Sequence, residues 1–196
     1  MWYIVGLGNP GAQYTNSRHN VGWQVLDTYR ATVGLPEPVP SAALSGAISC
    51  GVVASEEVTL LYPDTFMNNS GAAVKKLVTK KDAARLVVVY DDIDIPFGEI
   101  KISFAKNSGG HNGIASIIDA LGTKEFVRVR IGIAPRRLLS GAVARPAPDK
   151  QAQFVLGRFS LRERTQVPTV LKDAATAIAQ IIAHGHEYAM NQQGGK

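Results

Sequence analysis

His19 stands in the run Ser17-Arg18-His19-Asn20, and Asp91 opens the run Asp91-Asp92-Ile93-Asp94. An imidazole can take a proton from water near neutral pH, and a carboxylate beside it fixes its orientation and tautomer. General-base chemistry needs these two residues to meet; alone, a histidine is as readily structural or simply exposed. The run 17–20 delivers the first predicted helix, where the dipole predicts a lowered His19 pKa that keeps the ring neutral. Three acids within four residues have a second reading, a divalent-cation site, for which Asp64 is the nearest further carboxylate. Asn9, Asn68 and Asn112 fall on three separate polar loops, with Asn68 in Phe66-Met67-Asn68-Asn69-Ser70-Gly71 and Asn112 in Ser108-Gly109-Gly110-His111-Asn112-Gly113. A neutral amide both donates and accepts hydrogen bonds, which suits holding a peptide group or a water; turn and cap chemistry uses it equally.

The loop of Asn9, Gly6-Leu7-Gly8-Asn9-Pro10-Gly11, formally satisfies a dinucleotide-binding fingerprint after a predicted strand. That site needs a helix to begin within the glycines, so that its amides face a pyrophosphate. Pro10 restricts Asn9 away from helical geometry, and helical periodicity starts only at Val21. The acid expected about 20 residues on is missing, because Asp27 lies inside the helix. The other reading is a tight loop that presents Asn9 at the carboxyl edge of a sheet, where open α/β sheets bind ligands.

The elements that must position these residues follow from hydrophobic periodicity. Residues 2–7, 45–53, 58–62, 86–90, 99–104 and 127–134 read as strands. Of these, Leu86-Val87-Val88-Val89-Tyr90 is apolar throughout, as in a strand covered on both faces. Helices are expected from Val21, with Ser17 or Asn20 as cap, over 70–78, over 114–121 and as one long element over 167–190. Residues 135–148 are rich in Pro, Gly, Ser and Arg and read as a loop. The alternation predicts one α/β domain over residues 1–190, with a mixed, mostly parallel twisted sheet and helices on both faces, followed by a disordered tail over 191–196.

The chain has 196 residues, 45% of them hydrophobic and 19% charged, which excludes a disordered, collagenous or coiled-coil protein. Cys50 is the only cysteine, excluding a disulfide framework and a cysteine-based zinc site. No apolar run approaches the ~20 residues of a membrane span. Met1–Gly6 shows no export signal, and the expected compartment is the cytoplasm. Residues 1–100 hold 7 Lys/Arg against 10 Asp/Glu, and residues 101–196 hold 14 against 6, so net −3 faces net +8. The basic half is either a solvated face or a surface for a polyanionic partner.

The chain resembles the bacterial-type peptidyl-tRNA hydrolase family. The resemblance rests on Val5-Gly6-Leu7-Gly8-Asn9-Pro10-Gly11 with Tyr14, on Arg18-His19-Asn20-Val21-Gly22 and on Phe66-Met67-Asn68-Asn69-Ser70-Gly71. It continues through Tyr90-Asp91-Asp92-Ile93-Asp94-Ile95-Pro96-Phe97-Gly98, Gly109-Gly110-His111-Asn112-Gly113, Arg130-Ile131-Gly132-Ile133 and Phe154-Val155-Leu156-Gly157. These segments occur in the family's order across residues 3–190, which is far more specific than any one motif.

The resemblance implies hydrolysis of the ester joining a peptide to the 3′ end of tRNA, without metal, cofactor or covalent nucleophile, by a cytoplasmic monomer. It casts His19 as general base and Asp91 as its orienting acid. Asn9, Asn68 and Asn112 would position substrate and water, Met67 and Tyr14 would line the cleft, and Arg130 would clamp a tRNA phosphate. The acidic half would then carry the chemistry and the basic half engage phosphates. The family's usual basic companion of Arg130 falls at Ser103, a departure for which Lys101 or Lys106 could substitute. Lys106-Asn107-Ser108 and Ala134-Pro135-Arg136-Arg137 depart from the pattern more mildly.

Overall fold

The computed structural model describes residues 1–137 and 140–193. Strand β1 (Trp2–Gly6) runs through a loop and a 3-10 turn at Arg18–Asn20 into helix α1 (Val21–Val33). A meander of β2 (Val39–Ser41), β3 (Gly46–Val53) and β4 (Glu56–Pro63) leads through a second 3-10 turn, Met67–Asn69, into α2 (Ser70–Leu77). Then come β5 (Leu86–Pro96), β6 (Ile100–Phe104), α3 (Asn112–Leu121) and β7 (Val127–Ala134). The chain closes with α4 (Gln151–Leu156), α5 (Leu161–Arg164), α6 (Val167–His184) and α7 (His186–Gln193).

The seven strands form one sheet in the order β2-β3-β4-β1-β5-β7-β6. The central four, β4, β1, β5 and β7, are mutually parallel, while β3 and β6 oppose their neighbours. β2 is antiparallel to β3, so five of the seven strands share one direction: a mixed, mostly parallel sheet.

Each face carries its own core. Ile4, Val87, Val89 and Val129 pack with Val25, Leu26 and Tyr29 of α1 and with Ile178 and Ile181 of α6. On the other face Val5, Leu61, Val88 and Phe126 pack with Val74 of α2 and with Ile114 and Ile117 of α3. β5 alternates between the two: Val87 and Val89 face one way, Leu86, Val88 and Tyr90 the other. This is why its sequence shows no polar residue before Asp91. The next step of the alternation turns Asp91 toward the side of α1.

Several elements differ from expectation. β5 continues to Pro96, so the acidic run lies within a strand whose pairing with β7 is irregular between Asp92 and Pro96. The single helix expected over 167–190 is broken at Gly185, whose φ of 85° and ψ of 164° belong to a region that only glycine occupies readily. α7 thereby folds back onto β6, stacking His186 on Phe104 at 4.4 Å. It extends to Gln193, into the expected tail, whose remaining residues 194–196 lie outside the described residues. In the 135–148 loop Arg136 and Val143 form an antiparallel bridge; Leu138 and Leu139 of that loop lie outside the described residues. β2, α4 and α5 had no sequence-based expectation, being too short for a readable period.

Candidate active site

Because β1, β4 and β5 are parallel, the loops that follow them leave from one sheet edge. Gly22 seats α1 on that edge: a Cβ there would lie 2.5 Å from the Leu7 nitrogen and oxygen and from the Val89 oxygen. The glycines near Leu7 thus serve helix-on-strand packing, and α1 begins ten residues past the glycine loop, which leaves no helix N-terminus for a pyrophosphate. The 3-10 turn before α1 carries His19 over the end of β5. Asn20 does not cap α1 with its side chain as expected. Its Oδ1 accepts from the Asn9 backbone N–H at 2.9 Å and its Nδ2 donates to the Asn9 carbonyl at 2.9 Å.

Asp91 is buried, and its Oδ1 meets two imidazoles: His19 Nδ1 at 2.8 Å and His111 Nε2 at 3.2 Å. The protons can be assigned from the network. His111 Nδ1 accepts the Ile114 backbone N–H at 3.3 Å, so its proton sits on Nε2 and is donated to Asp91. His19 donates from Nδ1, which leaves a lone pair on Nε2, and Nε2 has no protein partner among the described residues. Burial pushes the Asp91 carboxyl up, but charge on His19 and hydrogen bonds from His111 and His19 outweigh it, holding the group well below the usual carboxylate range. For His19, burial favours the neutral ring, yet the Asp91 charge and hydrogen bond raise its pKa above the ordinary 6.5. The expected lowering is therefore reversed: the turn at Arg18–Asn20 precedes the helix proper, and a carboxylate at 2.8 Å outweighs a partial dipole charge. Tyr90, tilted against His111 at 4.7 Å, is a neutral wall whose buried hydroxyl is pushed up to about 12 against the pull of Arg128 and Arg130.

His19, Asp91, His111 and Asn112 open onto a cleft of about 330 Å³. Ser108, Gly109 and Gly110 border it on one side, and Gln151, Ala152 and Val155 of α4 form the opposing wall. Arg145 of the 135–148 loop pairs with Asp94 at 3.0 Å, and both residues line the cleft. Asp92 also borders the cleft, whereas Asn9, Tyr14, Met67, Asn68 and Arg130 sit outside this lining. Asn9 is buried behind it, its Oδ1 accepting the Met67 backbone N–H at 2.7 Å, so the amide is turned with Nδ2 as a fixed donor. Asn68 is exposed on the adjacent turn, Met67 belongs to the core packed under α3, and Tyr14 is half-buried in the 11–16 turn.

The three acids of β5 each have a separate partner. Asp91 takes the histidines, Asp92 Oδ2 accepts from Arg130 Nε at 2.8 Å, and Asp94 pairs with Arg145. Asp64 is exposed after β4 and joins none of them. Among the described residues, His19, Asp91 and His111 do bring ligand atoms within 4.8 Å of one another. Coordination through His111 Nε2 would move that ring's proton to Nδ1, against the Ile114 N–H, so the observed hydrogen bonds favour the proton-transfer arrangement over a cation site.

His111 and Arg128 make contacts at the site that sequence reasoning did not assign. His111 lay in the quoted glycine-rich motif, but only the fold shows that it reaches Asp91. β6 is antiparallel to β7, so Phe104 lies level with Val127 at the far end of the sheet, and the 105–111 loop must climb back to the site. Arg128, fully buried, holds that loop by donating to the carbonyls of Asn107, at 2.6 Å, and Lys106. Ser103 lies opposite Arg128 in the β6–β7 register and is itself buried, so a second cation there would face a buried guanidinium. Lys101, exposed, lies opposite Arg130 in the same register.

An imidazole with one nitrogen held by a buried carboxylate and the other without a protein partner is able to take a proton from water, the chemistry that a hydrolytic enzyme on an α/β fold requires. Comparison with known proteins agrees. The sequence profile described as Peptidyl-tRNA hydrolase matches residues 3–196. Curated peptidyl-tRNA hydrolases from Chloroflexus aurantiacus and Thermodesulfovibrio yellowstonii are 40% and 39% identical over 195 residues, covering 98% and 97% of this chain and equal shares of theirs. The crystal structure of peptidyl-tRNA hydrolase from Acinetobacter baumannii superposes with a TM-score of 0.84 at 26% identity, covering 100% of this chain and 95% of that one. The chain belongs to the peptidyl-tRNA hydrolase family.

Proposed function

We propose that this chain hydrolyses the ester between a peptide, or an N-blocked aminoacyl group, and the 3′ end of tRNA, with His19 as general base. His19 Nε2 takes a proton from a water in the cleft as the water oxygen attacks the ester carbonyl carbon. The proton then passes to the ribose oxygen as the tetrahedral intermediate collapses, releasing a peptide acid and tRNA with a free hydroxyl. Asp91 keeps the ring in the required tautomer and stabilises the imidazolium, as acids do in other base-assisted acyl transfers. In this reading Asn112, which lines the cleft, and the Nδ2 of the buried Asn9 donate to the oxyanion and peptide carbonyls, while Asn68, Met67 and Tyr14 contact the substrate beyond the cleft lining.

The observation that carries this reading is the single oxygen of Asp91 accepting from both His19 and His111. The partner is the acceptor end of peptidyl-tRNA, with its phosphates met by Arg130 and by Lys101 across the strand pair. The chain is proposed to act as a monomer. No helix among the described residues is long and apolar enough to cross a membrane, in keeping with a cytoplasmic role. Single-turnover cleavage of N-acetyl-aminoacyl-tRNA by wild type and His19→Ala tests the reading. Cleavage should vanish in the variant while tRNA affinity persists; normal turnover by the variant would remove His19 as the base, and binding without cleavage by the wild type would mean a non-catalytic relative.

A further inference from the structure

We infer that Arg18 and Glu163 act as positioning residues that set the α4 wall of the cleft against the catalytic turn, an inference that rests on the hydrolase reading above. Arg18 is 8% exposed, although it directly precedes His19 at a cleft expected to meet a polyanion. Its charge is spent internally: Nη2 meets Glu163 Oε2 at 2.9 Å, Nη1 donates to the Phe154 carbonyl at 3.4 Å, and the guanidinium lies 4.3 Å from the Phe154 ring and 5.4 Å from that of Phe159. Its backbone N–H donates to the Gly157 carbonyl at 3.0 Å, and Ser17 bridges Arg158.

Every one of these contacts reaches the segment that holds α4 and α5. α4 buries no residue of its own and rests on the turn at Arg18–Asn20, yet its Gln151, Ala152 and Val155 form the wall facing His19. Glu163 closes the connection. The same Oε2 accepts the Ser160 backbone N–H at 2.6 Å, completing a capping box for α5. Losing either partner leaves a mostly buried charge without its counter-ion, which frees the wall while the His19–Asp91 hydrogen bond keeps both of its partners.

The test is steady-state cleavage of N-acetyl-aminoacyl-tRNA by wild type, Glu163→Gln, Arg18→Met and the double variant, with hydrogen exchange of residues 150–157 in the same proteins. Expected are a KM raised about tenfold in each single variant, kcat within threefold, an unchanged acidic limb of kcat, and faster exchange confined to 150–157. The double variant should show the KM of one single variant, because both substitutions remove one connection. Unchanged KM with only a lowered melting temperature would overturn the inference, as would effects that multiply in the double variant. Should Arg18→Met fail to fold, the near-isosteric Glu163→Gln decides on the same readouts. An inactive wild type would instead overturn the function reading, while the exchange comparison still tests the contact.

Discussion

Asn20 and Asn9 exchange two hydrogen bonds as though they were paired strand residues, the side-chain amide of one closing on the backbone N–H and carbonyl of the other at 2.9 Å each. The amide oxygen of Asn9 in turn holds the Met67 N–H. The two ends of the β1–α1 connection and the turn after β4 are thereby fixed relative to His19. Asn20→Ala would orphan a buried donor and acceptor on Asn9, costing about 2–3 kcal/mol. At roughly 2–4 °C per kcal/mol for a domain of this size, the melting temperature should fall by about 5–10 °C. Asn20→Asp retains the acceptor but sets a carboxylate against the Asn9 carbonyl, so it should be no better than alanine. Thermal unfolding of both variants checks the order.

Asp91→Asn keeps the shape at the His19 ring while removing the charge. Burial, which favours neutral imidazole, then acts without opposition, and the His19 pKa should drop from its raised value. Since the base works in its neutral form, wild-type cleavage should rise with pH through a pKa above 6.5, and in Asp91→Asn that limb should move to lower pH. The plateau rate should fall about a hundred- to ten-thousand-fold, because the amide no longer stabilises the imidazolium. A pH profile of single-turnover cleavage separates the two effects; a limb that stays put would mean that Asp91 does not control His19.

The pairing of His19 with Asp91 was legible because both lie next to elements with strong periods: the apolar run that becomes β5, and the helical pattern from Val21. The sheet class was legible for the same reason. What sequence could not supply was the effect of chain reversal. β6 runs against β7, so nothing local to Gly109-Gly110-His111 says that His111 meets Asp91. The sign of the His19 shift depended on a distance of 2.8 Å set by tertiary packing, while the local dipole argument pointed the other way. α4, which walls the cleft, is a six-residue helix with no buried side chain, and therefore has no apolar stripe to read.

The same ion pair gives stability and activity opposite pH dependence. His19 has a folded pKa above 6.5, so its stabilising contribution is fully present below that value and is lost as pH rises through the folded pKa. Asp91 is held below its ordinary 3.8, so its contribution is present above 3.8 and is lost only as pH falls through the depressed folded value. The pair should stabilise the fold most between about pH 4 and 6.5, where the base is charged and idle. In melting temperatures measured from pH 5 to 9, the advantage of wild type over His19→Gln should shrink on the alkaline side. A constant difference across that range would show that the ion pair does not contribute.

Arg130 donates to Asp92 through Nε and keeps the rest of its guanidinium partly exposed, and Lys101 projects from the facing position on β6. Two cations side by side on an antiparallel pair suit one phosphate group better than either does alone. Because Ser103 is buried opposite Arg128 while Lys101 is exposed opposite Arg130, Lys101 is the residue expected to take the missing companion's role. Each phosphate contact neutralised should release counterions, so the slope of log affinity for tRNA against log salt should become shallower by about 1 in Lys101→Ala and in Arg130→Ala. Lys106→Ala should leave the slope unchanged, since that residue lies on the loop tied down by Arg128. Cleavage of saturating substrate should stay near wild type in the Lys101 variant, because Lys101 is not part of the cleft lining and a phosphate contact held equally in ground and transition states leaves kcat unchanged. Filter-binding titrations from 50 to about 300 mM salt span the range where such slopes are measurable, and an unchanged slope in both Lys101→Ala and Arg130→Ala would remove the strand pair from the tRNA interface.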